Sequence, residues 1–516
     1  MRTLKNIIFS VIAIAAFFAL LEGISRLFVF PGSYDYIERR IIEQGLSQKK
    51  EKGEIRIFLY GESTMQGSHL YPYSTIGKWL KLYLDDLLPE DIARRIRVVN
   101  LARLGEDSRF TVTAFRDTIP YKPDLAVFYM AHNDFCILTN RRQYLTRKSF
   151  KDMFEEFAGD LPRHSSFLNA INRVVIRAKL ARKRAKDQKL KSIDSWYEED
   201  KLPSIAKEDL LYPGSKEFEV IKRNFEDNIN KAVEEAKRAS IPVIFLEGVA
   251  KWKGYEPMVS VHTQSMTNEE MRRYTRIFAG ASYDKCLEID PAYALAYYRE
   301  AQYREALGQF EEANRLYSLA NDKDCFPIRA PSTVNRFYEG LDGLHMRGVY
   351  VIRTQRLFEE NSPNGIIRDD LIGDQIHPTI EGQALIAMEI VKLLYDKDLI
   401  APKASWRWRQ LKGVSEMRKG LRLDKEAEFE ICMAMAGYLK RDYTKAAIFL
   451  EEALKIRPGS INAESFLAWT YWRLGRKDRA IDLYRRLNQR APSAAAVFFK
   501  KHADIRELFT GQKMSK

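Results

Sequence analysis

Short, unbroken apolar runs punctuate the first two thirds of this chain. Residues 55–60 read I-R-I-F-L-Y between Gly53 and Gly61, 96–101 read I-R-V-V-N-L, and 125–130 read L-A-V-F-Y-M behind Pro123. Residues 241–246 (I-P-V-I-F-L) and 349–352 repeat the theme. Runs of this length, rich in β-branched and aromatic residues, predict buried strands. Longer helical stretches, such as 76–88 and 216–239, separate them. Strands alternating with helices predict an α/β fold, a parallel sheet with helices on both faces.

A second pattern has a period of 34. Ala446 and Ala480 are separated by it, as are Pro458 and Pro492, within D-Y-T-K-A-A-I-F-L-E-E-A-L-K-I-R-P and R-K-D-R-A-I-D-L-Y-R-R-L-N-Q-R-A-P. This resembles the tetratricopeptide repeat, an all-α hairpin whose small residues let two helices approach closely. Ala279 and Ala313 repeat the spacing in the middle of the chain. Neither block shows three consecutive repeats, so each is expected to lean on the rest of the molecule. They would serve as a docking surface for a protein partner or as bracing.

The N-terminus carries a third pattern. Arg2 and Lys5 precede an uncharged run, residues 6–21, and Glu22 and Arg26 then stand four apart before the apolar run resumes to Phe30. Residues 7–30 have the length to span a bilayer as a helix. Leu20, Leu21 and Glu22 do not form a small-x-small cleavage site. The expectation is an uncleaved transmembrane anchor over 1–30 in the cell inner membrane, with the remainder periplasmic. Residues 31–54, ending in K-K-E-K, read as a stalk. The α/β span is 55–400, interrupted by a basic helical insertion at about 136–215 and a repeat-like one at about 266–325. Repeats fill 401–516.

Composition adds limits. With 516 residues, 46% hydrophobic and 30% charged, the chain is globular and too long for one core. Its net charge of +14 is spread out, and the densest basic run is 177–191, R-A-K-L-A-R-K-R-A-K-D-Q-K-L-K. That run is either a solvated face or one held near lipid headgroups or an acidic glycan. No motif turns basicity into nucleic-acid reading. Cys136, Cys286, Cys325 and Cys432 show no C-x-x-C and no metal spacing, and none is expected to be a ligand or a nucleophile. Whether Cys286 and Cys325 approach each other is open. No phosphate-binding, dinucleotide-binding or zinc-protease motif occurs.

The chemistry lies in four short blocks: G-E-S-T at 61–64, L-G-E-D-S at 104–108, A-H-N-D at 131–134 and D-Q-I-H-P at 374–378. Ser63 follows a predicted strand, at the edge where open α/β sheets place ligands. Met65 stands where G-x-S-x-G needs glycine, so the nucleophile elbow of the α/β-hydrolases does not apply. A serine nucleophile needs a base, and His377 is the best candidate among seven histidines. Asp374, three residues earlier, is placed to orient the ring. The Ser63 and Gly105 N–H groups and the Asn133 amide are candidates for an oxyanion hole. His132 is read as a pocket-edge or structural residue.

Ser63, Gly105, Asn133 and His377, in this order, resemble the four blocks of the SGNH hydrolases, the GDSL esterase/lipase superfamily, over about 55–394. The closing G-D-Q-I-H-P-T-I-E-G-Q-A-L-I-A is the strongest part. The resemblance implies a flavodoxin-like sheet, serine acyl-enzyme chemistry, no metal or cofactor, and acyl esters as substrates. Two positions depart from the family pattern. Glu62 replaces aspartate and is expected to shift the nucleophile loop. Ala131 replaces glycine and is expected to narrow the approach to Asn133. The implied function is a membrane-anchored esterase or O-acyltransferase on O-acyl, especially acetyl, esters of an envelope polysaccharide. The other reading is an inactive scaffold whose repeats recruit envelope-assembly partners.

Overall fold

A computed structural model describes residues 16–25, 35–145, 165–186, 205–439 and 442–492. Five strands form one parallel sheet: β1 (Ile55–Gly61), β2 (Ile96–Asn100), β3 (Leu125–Tyr129), β4 (Val243–Leu246) and β5 (Val349–Ile352). Their order is β2-β1-β3-β4-β5, the doubly wound arrangement of flavodoxin-like sheets. All five predicted strands are present. The register pairs Leu59 with Asn100 and Gly61 with Tyr129, so the loops after β2 and β3 flank the end of β1.

Alternation along β1 explains the layering. Ile57 and Leu59 face an apolar core shared with Trp79 and Leu80 of the helix Ile76–Leu87 and Ile386 and Ile390 of the helix Ile380–Asp396. Phe58 and Tyr60 face the opposite core, with Phe115, Phe225 and Tyr338 from the helices Ser108–Thr118, Lys216–Ala239 and Ser332–Gly343. There Tyr60, Phe128 and Phe245 stack across neighbouring strands at centroid distances of 5.2 and 5.0 Å. Such cross-strand pairs hold the register as well as burying area.

The segment expected as a stalk differs. Residues Asp35–Glu43 form a helix whose Ile37 and Ile41 are fully buried in the second core. Arg40 is buried too, and donates to the Asn100 carbonyl through Nε and Nη2 at 3.2 and 2.9 Å. Two isoleucines four apart make a narrow stripe that the surrounding charges conceal in the sequence. This helix closes the β2 side of the sheet and is no spacer.

The N-terminal anchor expectation falls mostly on residues outside the described ones. Within it, 16–25 are helical, and among the described residues no helix is long and apolar enough to cross a membrane. The Glu22 carboxylate accepts from Ser165 Oγ and from the Ser166 and Phe167 amides. These groups open the helix Ser166–Lys186, which lies within the basic insertion.

Among the described residues, the C-terminal block includes the helices Lys425–Tyr438, Tyr443–Ile456, Ile461–Arg473 and Lys477–Arg490. Ala446 and Ala480 are fully buried between them, as the 34-residue spacing predicts. In the central block Ala313 is buried but Ala279 is exposed at the end of the helix Asn268–Ala279, so the spacing there does not mark equivalent positions. All four cysteines are free thiols.

Candidate active site

Gly61 ends β1, and a Cβ there would lie 2.1 Å from the Tyr129 carbonyl oxygen. The absent side chain lets β1 and β3 stay paired to their last residue, directly before the nucleophile. Ser63 then opens a short helix, Ser63–Gln66, and is nearly buried. Its Oγ lies 2.8 Å from His377 Nε2. His377 Nδ1 lies 2.7 Å from Asp374 Oδ2. A carboxylate only accepts, so Nδ1 carries the proton and Nε2 accepts from the serine hydroxyl.

Asp374 is held as firmly as it holds. Its Oδ1 accepts the Ile376 and His377 amide hydrogens, both at 2.8 Å. Burial alone would raise its pKa. The His377 charge and these hydrogen bonds outweigh that and bring it down to about 2. The loop is pinned from behind: the Gly373 amide donates to the His377 carbonyl at 3.0 Å and Thr379 N–H to the Leu371 carbonyl at 3.0 Å. A Cβ on Gly382 would sit 2.1 Å from the Leu371 oxygen, so the glycine of H-P-T-I-E-G lets the closing helix meet this loop.

The remaining candidates sit in the two loops beside Ser63. Gly105 has a φ of +79°, a conformation that glycine adopts without strain. Asn133 Nδ2 donates to the Glu106 carbonyl at 2.7 Å, and Asn140 Nδ2 bridges the Gly105 and Asn133 carbonyls, both at 3.2 Å. Asp134 accepts the Ser108 amide at 3.0 Å and its hydroxyl at 2.6 Å. The second and third blocks therefore form one hydrogen-bonded unit next to the nucleophile.

Both departures from the family pattern are accommodated. The fully buried Glu62 carboxylate accepts the amide hydrogens of Ala131, His132 and Asn133 at 3.1, 3.2 and 3.1 Å. Burial and the nearby Asp134 raise its pKa, while the three amides favour the charged form. Glu62 thus spans from the residue before the nucleophile to the Asn133 loop. Ala131 has no left-handed φ. Its Cβ occupies space left by Gly248, where an added Cβ would come within 2.5 Å of it. His132 is buried, its Nδ1 accepting the Ala330 amide at 3.0 Å, and burial, with the His377 charge, lowers its pKa to about 3. Burial favours its neutral form.

Two groups carried no sequence signal. Lys251 donates its amide hydrogen to the Gln375 carbonyl at 2.9 Å and its Nζ to the Ile372 carbonyl at 3.2 Å. It also pairs with Asp369, which pairs in turn with Lys445 of the C-terminal repeats. Beside this bridge a cleft of about 630 Å³ reaches Asp374, walled by Tyr255, Gln375, Leu439 and Lys445 among others. Glu247, directly after β4, is buried, and burial followed by repulsion from Glu339 pushes its pKa up to about 8.

Residues 57–390 match the profile of the GDSL-like lipase/acylhydrolase family, and 438–498 match that of the tetratricopeptide repeat. The chain belongs to the GDSL-like lipase/acylhydrolase family, which makes it a hydrolase, and it carries a tetratricopeptide repeat. Among curated proteins none matches it. Similar solved structures include a GDSL-like lipase from Bacteroides thetaiotaomicron, at 13% identity over 70% of this chain and 98% of that one, with a TM-score of 0.28. A catalytic mutant of an acetylxylan esterase from Geobacillus stearothermophilus is 14% identical over 66% and 93%, with a TM-score of 0.28. YrrB, a tetratricopeptide protein with an unusual peptide-binding site, is 18% identical over 42% and 97%, with a TM-score of 0.14. Likenesses this distant carry no weight for fold or substrate.

Proposed function

We propose that this chain is a membrane-anchored serine esterase acting on O-acyl esters, principally acetyl, of an envelope polysaccharide. One observation carries the reading: the unbroken chain of hydrogen bonds from Ser63 Oγ through His377 to Asp374. Ser63 Oγ attacks the ester carbonyl as His377 Nε2 takes its proton. The Ser63 and Gly105 amides and the Asn133 side chain receive the developing oxyanion. The tetrahedral intermediate collapses, the C–O bond to the alcohol breaks, and His377 returns the proton to the leaving oxygen. Water, its proton taken by His377, then attacks the acyl-enzyme and frees the carboxylic acid. A sugar hydroxyl in place of water would make the same site an acyltransferase.

The apolar run 7–30 supports an inner-membrane anchor with the site on the periplasmic side. The C-terminal repeats are the place for a protein partner. Glu62 and Ala131 fit the site without displacing it, which weighs against the inactive scaffold.

A fluorophosphonate probe should label Ser63 covalently, since labelling requires an activated hydroxyl. Ser63→Ala should lose both the label and about 10³-fold or more of nitrophenyl acetate turnover, with the fold retained. Turnover equal to that of the parent chain would remove the assignment.

A further inference from the structure

The basic insertion helix Ser166–Lys186 has an inner and an outer face. Inward, Asn169 and Ile176 are buried, and Arg173 pairs with the buried Glu38 at 2.7 Å and donates to Tyr121 Oη at 3.0 Å. Outward, Ile171, Val174 and Val175 are exposed at 50, 66 and 42%. Their spacing of three and four makes one continuous apolar stripe. The helix 16–25 packs beside it, with Phe18 edge-on to Phe167 at 6.2 Å and Glu22 capping the first turn. That neighbour also exposes large apolar side chains: Phe17, Phe18, Leu20 and Ile24. The two helices together hold seven of the fifteen large apolar residues exposed among those described, so this is one patch and not scattered surface.

Charge identifies what covers it. Arg177 and Lys179 are exposed just past the stripe, and the run 177–191 carries eight Lys or Arg against one Asp. An apolar stripe continuing into a dense basic run matches the boundary between acyl chains and anionic headgroups. An acidic glycan would satisfy the charges but leave the valines and isoleucine in water. We propose that the helix Ser166–Lys186 lies in the membrane interface beside the N-terminal anchor, with Ile171, Val174 and Val175 against the acyl chains and its basic end on anionic headgroups. This rests on the anchored reading of the chain. It adds a second contact, joined through Arg173 and Glu38 to the helix Asp35–Glu43 at the edge of the sheet, which sets how the active site faces the membrane. It also explains Glu22, whose charge in an apolar segment is met by donors at a helix N-terminus.

The test uses the full chain in phosphatidylethanolamine/phosphatidylglycerol vesicles. Val174→Trp should add emission that brominated acyl chains quench by about half, as expected for a side chain at the headgroup–acyl boundary. Ile448→Trp, exposed on the C-terminal repeats, should add emission that the bromines leave alone. Replacing phosphatidylglycerol by phosphatidylcholine should reduce the Val174→Trp quenching. A chain that floats with the vesicles yet shows no quenching at position 174 overturns the interfacial helix while keeping the anchor. A chain that does not float overturns both. A shift of the Val174→Trp emission on adding polygalacturonate, without quenching in vesicles, assigns the face to glycan and also overturns the proposal.

Discussion

The two helical blocks obey the same local rules and end in different places. In the C-terminal block the buried faces join the core beneath the sheet: Phe429, Ile431, Leu450 and Leu467 belong to one cluster with Ile57, Trp79 and Ile390. In the central block the helices Ala294–Ala306 and Phe310–Asp322 enclose a small cluster of their own around Tyr298, Leu316 and Tyr317. That block is tied to the body by polar bonds, such as Asp322 to Ser332 and Asp324 to the Met258 and Val259 amides, and by Trp252, which packs against its cluster. The C-terminal block also reaches the chemistry. Met435 abuts Gly373, one residue before Asp374, and Lys445 joins the Asp369–Lys251 bridge behind the His377 loop. A hairpin that shares a core transmits its stability to the site, whereas one with a private core can melt alone.

The largest effect should come where the C-terminal block meets the site. Asp374→Asn should lower kcat by about 10²–10⁴-fold, because the ring loses its orienting acceptor. Steady-state turnover of nitrophenyl acetate measures this. Loss below tenfold would detach the His377 loop from catalysis and leave the bridge to the repeats without consequence.

Paired cavities test the comparison itself. Leu450→Ala and Leu316→Ala each remove a buried leucine, a change that costs about 2–5 kcal/mol. Leu450→Ala should lower the temperature at which esterase activity disappears. Leu316→Ala should produce a separate, earlier melting step that leaves activity in place. Calorimetry alongside residual activity distinguishes them, and equal loss of activity in both variants breaks the comparison.

A smaller effect depends on pH. The Asp374 pKa is depressed to about 2, so its carboxylate stabilises the fold above the ordinary aspartate range and this contribution fades as pH falls through about 2. It amounts to roughly 2 kcal/mol. The stability gap between the parent chain and Asp374→Asn should be full at pH 6 and close between pH 4 and 2 in urea titrations. A gap independent of pH would mean the carboxylate is not held as described.

The smallest effect concerns the bridge. Lys445→Ala removes a half-exposed ion pair, worth about 0–1 kcal/mol of stability. The same change should lower kcat several-fold with KM little altered, because the bridge acts on the loop and not on substrate. An unchanged kcat would reduce the C-terminal block to bracing.

The five strands were legible because each is a short β-branched run between turn residues. The D-x-x-H pair was legible because three residues is the distance across which a carboxylate folds back onto a ring. The Asp35–Glu43 helix was not: its two isoleucines become a buried face only when the β2 edge is there to receive them. Ala279 was misleading because the sequence repeats a spacing, while burial requires a partner helix.

From the sequence alone came the fold class, the four blocks, the order of the catalytic candidates and the C-terminal repeat. These are set by local periodicity and by residues whose chemistry is their own. Only the tertiary structure joined Ser63 to His377 across 314 residues, turned Glu62 from an anomaly into the acceptor for three amides, and bridged Lys251 to Lys445. Contacts between distant segments leave no spacing to read, because they follow from how apolar faces pack and which polar groups that packing leaves to be satisfied.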